Sequence, residues 1–191
     1  MPRKWTPILA FLLAFLVGMG CVLGYVWWNK AWWEKHQSHP AIAYQELVRG
    51  VWVTSQVSPD DIRAGKLRGV RTVVDLRPDG EAADQPPSTE VAEAAKAAGI
   101  GFDYVPIPHG ASPEEAVTRL QAVLGERPYP VLLYCRSGSR AARTWALGEA
   151  TQANGLPAST IRDTVTRVGF STKDIDTDID ARIAARKQGT N

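Results

Sequence analysis

The sequence predicts an α/β domain built on a largely parallel sheet and preceded by one apolar helix of membrane length. Three observations lead there. From about residue 46 onward, apolar runs of strand length alternate with capped helical segments, the pattern of successive βα units. Two of those runs, VRTVVDLR and YPVLLYC, stay apolar through their middles, as strands covered on both faces do. Before them, Ile8 to Trp28 holds 21 residues without a charge, between Lys4 and Lys30.

About 20 apolar residues carry a helix across a bilayer, whereas a cleaved signal peptide has a shorter apolar region before its cleavage site. Trp5 at one end, and Trp27, Trp28, Trp32 and Trp33 at the other, match the aromatic belts of membrane interfaces. The expectation is an uncleaved single-pass anchor over residues 8–28 of a bacterial inner membrane, behind a tail of residues 1–7. Arg3 and Lys4 before it, against Lys30 and Lys35 after it, tilt the orientation toward a periplasmic soluble part. Gly20 and Gly24 form a GxxxG that is compatible with weak homodimerisation, although two small residues in an apolar helix explain it as simply. Residues 29–45 read as a linker, whose His36 and His39 lack the further ligands a metal requires.

The elements of the soluble domain, residues 46–191, follow in order. GVWVTSQ (Gly50–Gln56) reads as a strand, and SPDDIRAGKL opens a helix with Ser58 as N-cap and Pro59 at its first position. Val70–Arg77 is the second strand, and Ser88–Gly99 a helix that glycine stops. Ile100–Pro108 is the third strand, and SPEEAVTRLQAVLG repeats the cap logic with Ser112, Pro113 and Glu115. YPVLLYC (Tyr129–Cys135) is the fourth strand, followed by a helix over Ser139–Asn154 and two more near Pro157–Val168 and Thr172–Lys187. The acidic run DIDTDID lacks the glycine and glutamate of a calcium loop. Its Ile175, Ile179 and Ile183 instead recur as a helix stripe with aspartates on the wet faces.

Composition narrows the function. A net charge of +2, with no run of five like charges, argues against a nucleic-acid partner. Cys21 and Cys135 lie far apart in unlike sequence, so neither a disulfide framework nor a zinc spacing exists.

The chemistry concentrates at YCRSGSRA. Ligands of open α/β sheets sit beyond the carboxyl ends of strands, and Cys135 stands at such an end. The segment Arg136, Ser137, Gly138 and Ser139 must reverse the chain and start a helix, so its N–H groups converge into an anion cradle. Arg136 and Arg140 add guanidinium forks suited to phosphate or sulfate oxygens. Helix N-terminus, cradle and arginines all favour a thiolate on Cys135, the alternative being a buried structural cysteine before a glycine turn with both arginines solvated. Arg143 lies too far along the helix to take the place of Arg140.

VSPDDI, RTVVDLRPDGE, YVPIP and YCRSGSRA, in this order and spacing, resemble the bacterial beta-lactamase-hydrolase-like phosphatase family, a relative of the dual-specificity and tyrosine phosphatases. The resemblance spans about Leu47 to Ala185. It implies a phosphatase-like three-layer domain, a cysteinyl-phosphate intermediate and no metal or other cofactor. Carried over, Cys135 is the nucleophile, Arg140 the phosphate clamp, and Arg136, Ser137, Gly138 and Ser139 the N–H cradle. The implied substrate is a phosphorylated protein or a small phosphoester.

Two features depart from that family. Tyrosine phosphatases place five residues between cysteine and arginine, whereas four separate Cys135 from Arg140, the six-residue loop of rhodanese-type sulfurtransferases. The position of the usual acidic proton donor holds His109, whose imidazolium can donate near neutral pH and which reads equally well as a surface histidine. Glu114 and Glu115 are fallback donors that helix capping already explains. Asp75, Arg77 and Glu81 are placed to reach the same pocket, since Asp75 also lies near a strand's carboxyl end, but a structural Arg77–Glu81 ion pair is the reading preferred. Three functions stand in order: a cysteine-dependent phosphatase, a sulfurtransferase carrying a persulfide on Cys135, and a silent module binding phosphorylated or sulfated ligands.

Overall fold

The computed structural model describes residues 18–20, 22–28 and 41–188. The chain divides into two compact units, Met1–His39 and Pro40–Asn191. In the first, residues 18–20 and 22–28 are helical and exposed, among them the apolar side chains of Val22, Leu23, Val26, Trp27 and Trp28. Most of the expected anchor, together with Gly20–Gly24 as a continuous motif and His36 and His39 of the linker, lies outside the described residues. Among the described residues no helix is long and apolar enough to cross a membrane.

The second unit is a three-layer α/β domain. Its sheet has strands β1 (Gln45–Val48), β2 (Val51–Thr54), β3 (Thr72–Asp75), β4 (Gly101–Tyr104) and β5 (Val131–Tyr134), ordered β1-β2-β5-β3-β4. β2, β5, β3 and β4 run parallel, and β1 pairs antiparallel with β2 at the edge. The four expected strands are thus present in shorter form, and β1 is an addition that the sequence reading left between linker and domain. Arg167 fastens it from outside, its Nη1 and Nη2 donating to the carbonyls of Glu46 and Leu47 at 3.0 and 2.9 Å.

The helices are α1 (Pro59–Arg63), α2 (Ser88–Ala97), α3 (Glu114–Glu126), α4 (Ser139–Thr151), α5 (Ala158–Arg167) and α6 (Asp176–Gln188). Side chains of a strand alternate between faces, and β5 shows what this builds. Val131, Leu133 and Cys135 face one core with Leu120 of α3, Trp145 of α4, Ile161 of α5 and Ile179 of α6. Leu132 and Tyr134 face the other, with Ile62 of α1 and Val91 of α2. Every residue of β3 and β5 is buried, as their apolar runs require.

The caps divide instructively. Ser58 and Asp61 form the expected capping box on α1, with Asp61 N–H donating to Ser58 Oγ at 3.1 Å. At α3 the expectation fails: Pro113 is the N-cap and no side chain caps the helix, so Ser112 lies outside it. The start of α2 is tied down from a distance, Ser88 N–H and Oγ donating to Asp79 at 2.7 and 2.6 Å. In α6 the isoleucine stripe is buried through Ile179 and Ile183, while Asp176 and Asp180 share Arg162 at 2.9 and 2.7 Å.

Candidate active site

Strand order places β5 between β2 and β3, so the loop leaving its carboxyl end lies where the sheet's connections diverge. Cys135 is the first residue past β5 and is 1% exposed. Its Sγ accepts a hydrogen bond from the Gly138 N–H at 3.2 Å. That geometry depends on glycine: Gly138 has φ +94°, and a Cβ there would lie 2.8 Å from Phe170 Cζ and 3.1 Å from the Thr54 carbonyl oxygen. Gly138 also precedes α4, whose first turn carries no side-chain cap. The free N–H groups of that turn and the positive end of the helix therefore remain available to an anion. The loop is braced from the segment after β2, where Gln56 N–H donates to the Arg136 carbonyl at 3.3 Å.

A pocket of about 540 Å³ opens over this loop. Cys135, Arg136, Ser137, Ser139, Arg140 and His109 all line it. Six of the seven expected site residues therefore share one cavity wall, and the seventh, Gly138, underlies the sulfur. Glu114 and Glu115 do not line it; Glu114 instead accepts from Arg182 Nη1 at 3.1 Å, and Glu115 borders a separate cleft. Two charged residues outside the expected set join the wall: Arg143, read from the sequence only as too far along the helix to replace Arg140, and Asp174, from the segment before α6. They form an ion pair across the cavity rim.

Arg140 is 9% exposed and held by the protein. Its Nη1 donates to the Ile107 carbonyl at 2.6 Å and to the Leu76 carbonyl at 3.4 Å, and its Nη2 to Glu81 Oε1 at 2.5 Å. The other oxygen of Glu81 takes Arg77 Nε at 2.7 Å, the expected Arg77–Glu81 pair extended by a second arginine. Burial pushes the Glu81 carboxyl up, but the hydrogen bonds from Arg77 and Arg140 outweigh it and hold the group below its ordinary range. A guanidinium has five donors, so Nε–H and part of Nη2 stay free to face a ligand.

Beneath the loop, on the α1–α2 side, Asp75 is buried and accepts the Arg77 N–H at 2.8 Å. Burial pushes its carboxyl up to about 6 despite that hydrogen bond. The neighbouring Tyr134 hydroxyl is buried without a hydrogen bond of normal geometry, and burial and the Asp75 charge raise its pKa. A carboxyl raised in the folded state favours folding below its unfolded value, near ~4, and loses that contribution as pH rises through about 6. Asp75→Asn removes the ionisation. The variant should gain on the native chain as pH rises from 5 to 8, by roughly 1 kcal/mol, in thermal unfolding measured at both values. A constant difference across that window contradicts the assignment.

Comparison with known proteins agrees with this fold. Residues 44–152, more than half of the chain, match the family described as beta-lactamase hydrolase-like protein, phosphatase-like domain. A beta-lactamase hydrolase-like protein of Xylella fastidiosa is 32% identical over 97 residues, 51% of this chain and 22% of that one. The matched region is thus about a fifth of that relative's length. The crystal structure of a candidate phosphatase from Neisseria meningitidis superposes with a TM-score of 0.63 at 25% identity, covering 72% of this chain and 96% of that one. One from Shewanella putrefaciens gives 0.57 at 19% identity over 81% and 97%, a likeness of fold.

Proposed function

Because the chain belongs to the beta-lactamase hydrolase-like phosphatase-domain family, we propose that it is a membrane-anchored, cysteine-dependent phosphatase hydrolysing phosphate monoesters. The observation that carries the reading is the Cys135 sulfur, hydrogen-bonded by the Gly138 N–H at 3.2 Å beneath a pocket lined by Arg136 and Arg140.

In the first step the Cys135 thiolate attacks phosphorus, the S–P bond forms and the ester P–O bond breaks. His109, on the pocket wall, gives a proton to the departing oxygen. The transferring group carries charge on three equatorial oxygens, which the loop N–H groups and Arg140 receive. In the second step water attacks phosphorus and gives a proton back to His109, the S–P bond breaks, and inorganic phosphate leaves as the thiolate returns. Neither step requires a metal or a cofactor. The four-residue spacing from Cys135 to Arg140 favours one alternative, a persulfide carried on Cys135.

One assay separates the two. The full-length protein should hydrolyse an aryl phosphate and should not transfer sulfur from thiosulfate to cyanide. The opposite pair of results establishes the sulfurtransferase. In the same preparations the chain should stay in the membrane pellet through high-salt and alkaline washing, since the exposed apolar residues from Val22 to Trp28 continue the uncharged run that begins at Ile8. A soluble, unprocessed full-length chain refutes the anchor, and a periplasm-only reporter fused to Asn191 decides its orientation. The phosphorylated partner is either a protein side chain or a small phosphoester.

A further inference from the structure

Arg143 follows Arg140 by three residues on α4, so the two side chains lie on one face of the helix. The protein itself engages Arg140 through Ile107, Leu76 and Glu81. Arg143 is held differently. Its side chain is 20% exposed and its partner is Asp174, which is 57% exposed. The Arg143 Nε is buried with no hydrogen-bond partner. A buried donor left unpaired is costly, and such a group in a native site calls for a ligand or other explanation. The Arg136 side chain makes no ion pair among the described residues, and Asp174 is the one acid lining this pocket among them.

Cation supply at the rim therefore exceeds what one phosphate in the Cys135 cradle needs. The cavity, at about 540 Å³, has the size of a small-molecule site. Resting on the phosphatase reading, we propose that Arg143 forms a second anion subsite beside the cradle, that Asp174 occupies it as a stand-in carboxylate, and that the preferred substrates are phosphomonoesters bearing a second anionic group. An ion pair with so exposed a carboxylate is weak, whereas a phosphate engages a guanidinium through a charge-assisted fork that also reaches Nε. The substrate's second anion displaces Asp174 and satisfies the orphaned donor.

The test compares phenyl phosphate with 1,3-phenylene bisphosphate on the full-length protein. The bisphosphate should have a kcat/KM at least ~10-fold higher, expressed mainly in KM. In Arg143→Met the ratio between the two esters should collapse toward one. In Asp174→Asn it should rise, because the competing carboxylate is gone. A general-acid role for Asp174 predicts the reverse, a lower kcat in that variant. Equal kcat/KM for the two esters in the native protein, or an equal loss on both in Arg143→Met, overturns the subsite. Absence of turnover on either ester counts against the phosphatase reading alone. Calorimetry on Cys135→Ser then decides the subsite: tighter binding of the bisphosphate that Arg143→Met abolishes supports it, and equal binding refutes it.

Discussion

Cys135→Ser is expected to lower turnover of an aryl phosphate by at least ~1,000-fold while shifting unfolding by no more than about 1 kcal/mol. The two parts follow from different properties of one position. A serine hydroxyl is not ionised near neutral pH, so the cradle gains no nucleophile from the Gly138 N–H that now faces the sulfur. The fold, by contrast, keeps a side chain of similar size, and the same N–H at the same place partners the new oxygen. Steady-state rates on aryl phosphate and thermal unfolding of the variant check both. Retained turnover makes Cys135 a structural residue. Complete loss of folding makes the kinetic result uninformative, and iodoacetamide labelling of the native chain, suppressed by phosphate or vanadate, then takes its place.

The second large effect is expected at Arg140. Lysine keeps the charge but has one ammonium in place of a planar fork, and it cannot meet Ile107, Leu76 and Glu81 while facing a phosphoryl group. Arg140→Lys should lower kcat/KM by ~100-fold, about 2.7 kcal/mol of transition-state stabilisation. Glu81→Gln should reproduce part of that loss, since it leaves Arg140 in place but weakens the contact that aims it. If Arg140→Lys leaves kcat/KM within a few-fold of native, the loop N–H groups alone hold the transferring group, as a persulfide carrier requires.

Much of this arrangement was legible because strong local signals and the fold agree. The runs in VVDLR and VLLYC read as buried strands, and a cysteine, a glycine and two arginines directly after such a strand fall where its carboxyl edge would gather them. What escaped depended on contacts between distant segments. β1, with the sequence QELV, is half exposed and carries a glutamate, so its four residues lack any alternating or apolar signature. It becomes a strand because β2 offers an edge to pair with. Arg143 escaped for a similar reason. Its distance from Cys135 along the helix said little, because the other side of the cavity is supplied by Asp174, 31 residues onward, and by how α5 returns the chain to it. Ser112 misled because the Ser-Pro-Glu pattern fits a cap equally well one residue too early, where the chain has not yet turned.

Edge strand β1 has a mechanical consequence. Any tension transmitted through the residues before 41 enters the domain at the outer strand of the sheet, which bonds to β2 alone among the strands. Such a pull meets the Ile42 N–H bond to the Lys66 carbonyl, the Thr54 hydroxyl bond to the Ala43 carbonyl and the Tyr44–Trp52 stack, and next the β1–β2 ladder and the fork of Arg167 on the Glu46 and Leu47 carbonyls. Cys135 follows β5, one strand further in, and β5 is gripped on its far side by β3. Among the strands, the outermost thus takes such a pull first, and in the order of the sheet β2 stands between it and the strand that carries the sulfur.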